Sequence, residues 1–211
     1  MIPLLSHFKQ LNAAIEDDDF DRILNQCSQI LTVSPNDIDA LSIETVVHVL
    51  NGDFNTALKR FDQHSSLHET LPLEFVYCLY RTEQCQKALE YFSTVSQLCL
   101  SSPNLIECSA FLHAQIYYRL RNFSNALSSL KSVLDTSDVD LLTNIYACGV
   151  SNGSDIDIAD PLPTLDPMSL SWDFLLNIGI YECLHNRPVS AVSLLTTSLQ
   201  KLKQLEFHQL W

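Results

Sequence analysis

A short phrase recurs along this chain and constrains its fold more than any other feature. It consists of a polar or glycine-containing turn, an aromatic residue or cysteine, two spacer residues, an alanine, and an apolar residue four positions after the alanine. Clear copies contain Ala57, Ala88, Ala126 and Ala191, the last with proline in the aromatic position, and a weaker first copy begins at Asp18. A small alanine lets two helices approach closely, and an apolar residue one turn later fills the next groove on the same face. The phrase therefore predicts helical hairpins that bury their apolar faces by stacking on one another.

Helical periodicity, together with Pro, Asn and Asp at the breaks, divides the chain into helix pairs. The predicted pairs are residues 4–16 with 20–31, 38–50 with 54–64, 72–81 with 84–99, 105–120 with 123–134, and 172–184 with 189–205. Residues 139–148 predict a further first helix, and an irregular acidic loop over 151–170 follows it in place of a partner. Loops of that length are uncommon in compact domains and are often functional. The pattern predicts one all-α domain over 1–211 with about five helix pairs. Because the helical pattern still runs at Trp211, we expect a fragment or an array without its capping element.

The charge balance narrows the choice of partners. The chain has 12 Lys and Arg against 25 Asp and Glu, a formal net charge of -13. Such a surface repels phosphate backbones and acidic lipids, so we expect neither direct nucleic acid contact nor membrane binding from this segment. No stretch approaches the roughly 20 apolar residues that span a bilayer.

Cysteine usage indicates a reducing compartment. The 7 cysteines are odd in number, scattered, and include no Cys-x-x-Cys pair. Most fall at positions that a helical pattern would bury, where cysteine acts as a small apolar residue. We therefore expect a cytoplasmic protein.

Signals of catalysis are weak throughout the chain. His64 and His68 have the spacing of one helical face but lack a third ligand, and Cys183 with His185 lacks an orienting acid. No glycine-rich phosphate loop occurs. The sequence predicts that the protein is not an enzyme and takes no cofactor, metal or small-molecule substrate.

The recurring phrase resembles the tetratricopeptide repeat, which has a period of about 34 residues. The resemblance rests on residues 52–61 of the second copy, on Tyr117 in the fourth pair, and on Asn177-Ile178-Gly179 in the last. It implies a right-handed superhelix of stacked antiparallel helix pairs, in which the first helix of each pair lines a concave groove.

A narrower resemblance rests on the order of particular phrases. Residues 46–58, 73–81, 117–123 and 142–147, followed by an irregular loop and a last repeat, are similar to the amino-terminal region of the seventy-two-kilodalton subunit family of the signal recognition particle. In that family the repeats hold a carboxy-terminal segment of the sixty-eight-kilodalton partner subunit, and a separate basic region contacts RNA. No such basic region is present here, so the resemblance implies the heterodimer-forming part alone, in a ribonucleoprotein that serves co-translational targeting to the endoplasmic reticulum.

The helical phase identifies candidate groove residues once the alanines are aligned. They are Tyr77, Tyr80, Arg81, Phe111, Gln115, Tyr118 and Arg119. Two successive first helices thus carry a Tyr-Arg pair, Tyr80-Arg81 and Tyr118-Arg119. Tyrosine rings supply contact area at low entropic cost, and guanidinium groups grip carboxylates or carbonyls, so these pairs favour a peptide-binding site.

Alternatives remain both for the roles of these residues and for the function of the fold. Each tyrosine could instead be a packing residue with a wetted hydroxyl, and each arginine could be solvated or paired with a local acid. The fold also suits a generic adaptor in another cytosolic assembly, such as a vesicle-coat or transport complex. The identity of the partner distinguishes these functions.

Overall fold

The computed structural model describes residues 4–95, 103–133, 138–153, 155–156 and 170–209. Within them the chain forms helices and turns, without a strand. The helices are α1 (Leu4–Glu16), α2 (Phe20–Val33), α3 (Ile38–Leu50), α4 (Phe54–Gln63), α5 (Leu67–Thr70), α6 (Pro72–Arg81), α7 (Cys85–Val95), α8 (Pro103–Arg119), α9 (Phe123–Lys131), α10 (Val139–Asn152), α11 (Trp172–Leu184) and α12 (Pro188–Gln209). The predicted all-α fold class is confirmed.

The contacts divide the chain into two compact units. Unit 1 is Met1–Leu98 and contains α1 to α7, and unit 2 is Cys99–Trp211 and contains α8 to α12. Consecutive helices pack in pairs: α1 with α2, α3 with α4 and α6 with α7 in unit 1, and α8 with α9 and α11 with α12 in unit 2, where α10 packs between α9 and α11. This is the pairing of a tetratricopeptide-like stack within each unit.

Several local features differ from the sequence prediction. The single-turn helix α5 was not predicted, and α8 begins at Pro103 because proline suits the first turn of a helix. α10 continues to Asn152, two residues into the predicted loop, and ends at Gly153 with a φ of 62°. α9 ends at Lys131, three residues before the predicted end at 134. The rest of the predicted loop, at 154 and 157–169, and the predicted helix end at 99 lie outside the described residues.

The recurring turn has the same backbone conformation in all five copies. Its second residue adopts a left-handed φ of 52° to 75°, and these residues are Asp18, Gly52, Glu83, Arg121 and Asn186. The following amide donates to the carbonyl five residues earlier, over 2.8 to 3.0 Å, which closes a Schellman motif. In three copies that following residue also caps the next helix, because the side chains of Asp19, Asp53 and Asn122 accept from backbone amides.

Replacing Arg121 with glycine is expected to stabilise unit 2 by about 0.5–1 kcal/mol, since only glycine adopts this conformation without steric cost. Arg121→Ala is the matched control, because it removes the same side chain and keeps the Cβ. Denaturation of the three proteins checks the prediction. Equal stability of the glycine and alanine variants would contradict it.

The alanines of the recurring phrase are fully buried between packed helices. Ala57, Ala88 and Ala126 are 0% exposed and Ala191 is 1% exposed. Gly179 on α11 marks a close approach of two helices, because a Cβ there would come within 2.7 Å of Leu195 Cδ2 on α12. Small residues at these positions therefore set the spacing of the pairs.

A histidine fastens the segment after α10 to the end of α11. His185 Nδ1 lies 2.8 Å from the Tyr181 carbonyl oxygen, and its Nε2 contacts Asp155 Oδ1. A carbonyl oxygen and a carboxylate oxygen are both acceptors, so the ring can donate to both of them only as the protonated imidazolium. Next to Asp155, Ile156 is buried in the unit 2 core and its amide donates to the Tyr181 hydroxyl.

The Tyr181 carbonyl and then Asp155 raise the pKa of His185 above its ordinary value. A histidine whose pKa is higher in the folded than in the unfolded state stabilises the fold. The full stabilisation is present at pH values below the pKa of the unfolded state, about 6.5, and it is lost as the pH rises through the pKa of the folded state. We expect wild type to exceed His185→Gln in melting temperature at pH 6, and the difference to shrink by pH 8.5. A difference that grows with pH would contradict this assignment.

Candidate peptide-binding face

Four side chains of unit 1 form a compact group that we call the Arg81 cluster: Phe54, Tyr77, Tyr80 and Arg81. The Arg81 guanidinium carbon lies 4.5 Å from the centre of the Phe54 ring and 5.5 Å from that of Tyr77. Arg81 Nη1 donates to the Tyr77 hydroxyl over 2.5 Å. The Tyr77 ring meets Phe54 edge to face at 5.8 Å and lies 6.4 Å from Tyr80.

This arrangement holds Arg81 in place while leaving it exposed. The guanidinium carbon lies over the Phe54 ring and one N–H is donated to Tyr77, which leaves the other N–H groups of the guanidinium for a ligand. A prepositioned guanidinium loses less entropy when it binds a carboxylate or carbonyl. The cluster is chemically suited to an acceptor group of a peptide.

An apolar cavity of about 270 Å³ lies between α1, α2 and α3 in the same unit. Its lining consists of Ile15, Asp18, Phe20, Ile23, Ser42, Ile43, Val46, Val47 and Leu50. Ile15 and Leu50 are 40% and 64% exposed, so apolar surface continues from the cavity to its rim. We call it the α1–α3 cavity, and its volume suits one large apolar side chain.

The α1–α3 cavity and the Arg81 cluster occupy equivalent positions on successive turns. Phe20 and Phe54 each lie two residues after the left-handed residue of their turn. Leu50 and Arg81 each lie two residues before the next left-handed residue, with Val46 and Tyr77 one helical turn further back. We call the surface formed by the α1–α3 cavity and the Arg81 cluster the first-helix face of unit 1. It presents an apolar site followed by an aromatic and cationic site.

Unit 2 contains a second group of predicted site residues on α8. Tyr118 is 40% exposed, its ring meets Phe123 edge to face at 5.2 Å, and its hydroxyl lies 3.1 Å from Ser151 Oγ. Gln115 and Arg119 are exposed on the same helix. Phe111 packs against the unit 2 core.

Sequence reasoning did not include Phe54, Phe20, Ile15, Ile43 or Leu50 among the site residues. The two phenylalanines were visible as the aromatic position of the recurring phrase, whose role the pattern assigned to helix packing. Both are only half-buried, and each adjoins the following first helix. The aromatic position of the phrase is therefore a signal for this face as well as for the fold.

The described residues contain little that suggests other chemistry. No group of three or more His, Cys, Asp or Glu side chains in them could hold a metal ion, and no described helix is long and apolar enough to cross a membrane. Burial raises the pKa of the Cys27 and Cys78 thiols to about 12 and that of Cys148 to about 11. These thiols are unreactive packing groups at neutral pH, whereas Cys108 and Cys183 are exposed.

Comparison with known proteins gives one informative similarity. No protein-family model matches the chain. The chain is 27% identical over 150 residues to the signal recognition particle subunit SRP72 of Dictyostelium discoideum. The alignment covers 69% of this chain and 21% of that subunit, so the chain spans about a fifth of the length of the relative.

Proposed function

We propose that this chain is a protein-interaction scaffold of the signal recognition particle. In this proposal the predicted concave groove, which includes the first-helix face of unit 1, holds a carboxy-terminal segment of the sixty-eight-kilodalton partner subunit. The scaffold thereby supports co-translational targeting to the endoplasmic reticulum from the cytoplasm. The observation that carries the proposal is the Arg81 cluster, which follows the α1–α3 cavity at the equivalent position of the next turn, in a chain similar to SRP72.

The two sites of this face would bind different groups of the partner segment. A large apolar side chain of the partner would enter the α1–α3 cavity, where burial stabilises it by about 1.5–3 kcal/mol. A backbone carbonyl or carboxylate would accept from Arg81, which Phe54 and Tyr77 hold in position. Anchors of this kind account for most of the affinity of protein interfaces.

The charge of the chain supports a role in binding protein rather than RNA within such a particle. A net charge of -13 disfavours contact with the RNA, which would fall to the partner or to sequence outside this chain. Binding in the groove needs neither a metal nor a cofactor, so the proposal treats the chain as a non-enzymatic subunit.

Capture from cytosol tests the proposal. Wild type is compared with a variant that carries Tyr80→Ala, Arg81→Ala, Tyr118→Ala and Arg119→Ala. The matched control carries Asn25→Ala, Gln29→Ala, Asn55→Ala and Lys59→Ala, four exposed positions on second helices. Circular dichroism verifies equal helicity before the comparison.

We expect wild type and the control to recover signal recognition particle subunits, identified by mass spectrometry, and the groove variant to lose them. Recovery of a vesicle-coat or transport complex in their place would overturn the assignment to this particle. Equal recovery by all three proteins would place the partner elsewhere on the chain.

A further inference from the structure

A second cavity of unit 1 lies on the other side of α6 from the Arg81 cluster. It has a volume of about 570 Å³ and is lined by Leu58, Asp62, Phe75, Leu79, Gln84, Lys87, Glu90, Tyr91 and Thr94. Phe75 and Leu79 precede Tyr77 and Arg81 by two residues, a rotation of about 200° around the helix. This α4–α7 cavity is therefore independent of the face to which the proposed function assigns the partner segment.

The floor and one wall of the α4–α7 cavity are apolar and aromatic. Leu79 is 6% exposed, and the Phe75 and Tyr91 rings meet edge to face at 4.7 Å. Both rings also contact His68, at 4.4 Å and 5.6 Å between centroids, and the Tyr91 hydroxyl donates to the His68 carbonyl. The aromatic wall is thus held by its own contacts.

The rim of the cavity is acidic on both sides. Asp62 extends from α4 and Glu90 from α7, and both are exposed. Among the described residues neither Asp62 nor Glu90 has an ion pair, and the Glu90 carboxylate accepts from the Gln86 side-chain amide at 3.2 Å. The rim cation, Lys87, donates to Gln84 Oε1 at 2.9 Å, which draws its ammonium toward the beginning of α7.

We propose that the α4–α7 cavity receives an arginine side chain from a segment of a partner protein. The aliphatic stem packs on Leu58 and Leu79, the guanidinium lies against the aromatic wall, and its N–H groups reach the two carboxylates. The net charge of -13 favours the approach of a basic segment. This gives the scaffold a second docking surface, with the opposite charge preference to Arg81.

The test uses N-acetyl-arginine amide as the probe and N-acetyl-citrulline amide, its neutral near-isostere, as the matched ligand. Each is titrated into the ¹⁵N-labelled full chain, and amide shifts are followed by NMR. We expect saturable shifts for arginine at the cavity residues of α4 and α7, with an affinity at least threefold higher than for citrulline.

Paired variants separate this site from general attraction to an acidic protein. Asp62→Asn with Glu90→Gln is expected to weaken arginine binding at least threefold. Glu16→Gln with Asp39→Asn removes the same charge from exposed positions elsewhere and should leave binding unchanged, whereas Lys87→Gln should strengthen it. Equal binding of citrulline, shifts that do not saturate, or equal weakening by both pairs would overturn the proposal.

Discussion

Replacing Phe174 with alanine is expected to lower the free energy of unfolding of unit 2 by about 3–5 kcal/mol. Phe174 is 0% exposed and belongs to the core cluster that joins α10, α11 and α12. Its ring meets Tyr146 edge to face, with the centroids 6.0 Å apart. The substitution removes this contact and leaves a cavity that close-packed neighbours fill only in part.

Both tryptophans of the chain, Trp172 and Trp211, belong to unit 2, so denaturation followed by their fluorescence reports on that unit. Leu184→Ala is the matched control, because Leu184 ends the same helix and is 53% exposed. Its effect should stay within about 0.5 kcal/mol. A loss for Phe174→Ala that is no larger than the loss for the control would contradict the packing of α11.

Replacing Arg60 with alanine is expected to lower the stability of unit 1 by about 2–4 kcal/mol, because it leaves the buried Glu44 carboxylate unpaired. Arg60 Nη2 on α4 donates to Glu44 Oε1 on α3 at 2.7 Å. The Glu44 side chain is 8% exposed and that of Arg60 is 31% exposed, so solvent screening keeps the effect below that of a fully buried pair. Among the residues that the structure describes, Arg60 is the cation that pairs with Glu44, so its removal leaves this carboxylate without an ion pair.

The pair itself is imperfect, which makes a second variant informative. Glu44 Oε2 and Arg60 Nε are buried, and neither has a hydrogen-bond partner in the part of the chain that the structure describes. The double variant Glu44→Leu with Arg60→Leu removes both charges together and should regain most of the loss or exceed wild type. Hydrogen exchange of the α3 and α4 amides measures the stability of this unit. An Arg60→Ala variant as stable as wild type would show that the ion pair contributes nothing to the free energy of unfolding.

The turns explain why the helices could be predicted from the sequence. Each turn places a left-handed residue beside the phrase, and three of the five turns add a side-chain helix cap, so local chemistry fixes the helix boundaries to within a few residues. The single-turn helix α5 carries no such signal. Its N-cap, Ser66, makes no side-chain hydrogen bond, and Leu67 alone among its four residues is buried, so neither a cap nor an apolar period reveals it. The end of α10 depended on the conformation of Gly153, which a lone glycine does not reveal.

The candidate site was only partly readable from the sequence. Helical phase brings Tyr77 and Arg81 to one face, since they lie four residues apart on α6. The stacking of Arg81 on Phe54 depends on how α4 packs against α6, and the α1–α3 cavity depends on gaps between three helices. Such tertiary features are set by side-chain volumes across helices, which no single helix pattern records.

The most direct test of the scaffold proposal is a calorimetric titration of this chain with the carboxy-terminal segment of the sixty-eight-kilodalton subunit. We expect saturable binding, weakened at least about 30-fold by Tyr77→Ala with Arg81→Ala, the loss of one interface hot spot of about 2 kcal/mol. Asn55→Ala with Lys59→Ala, exposed positions on α4, should leave the affinity unchanged. No binding, or binding that the Tyr77 and Arg81 substitutions leave unchanged, would contradict a peptide site on the first-helix face of unit 1.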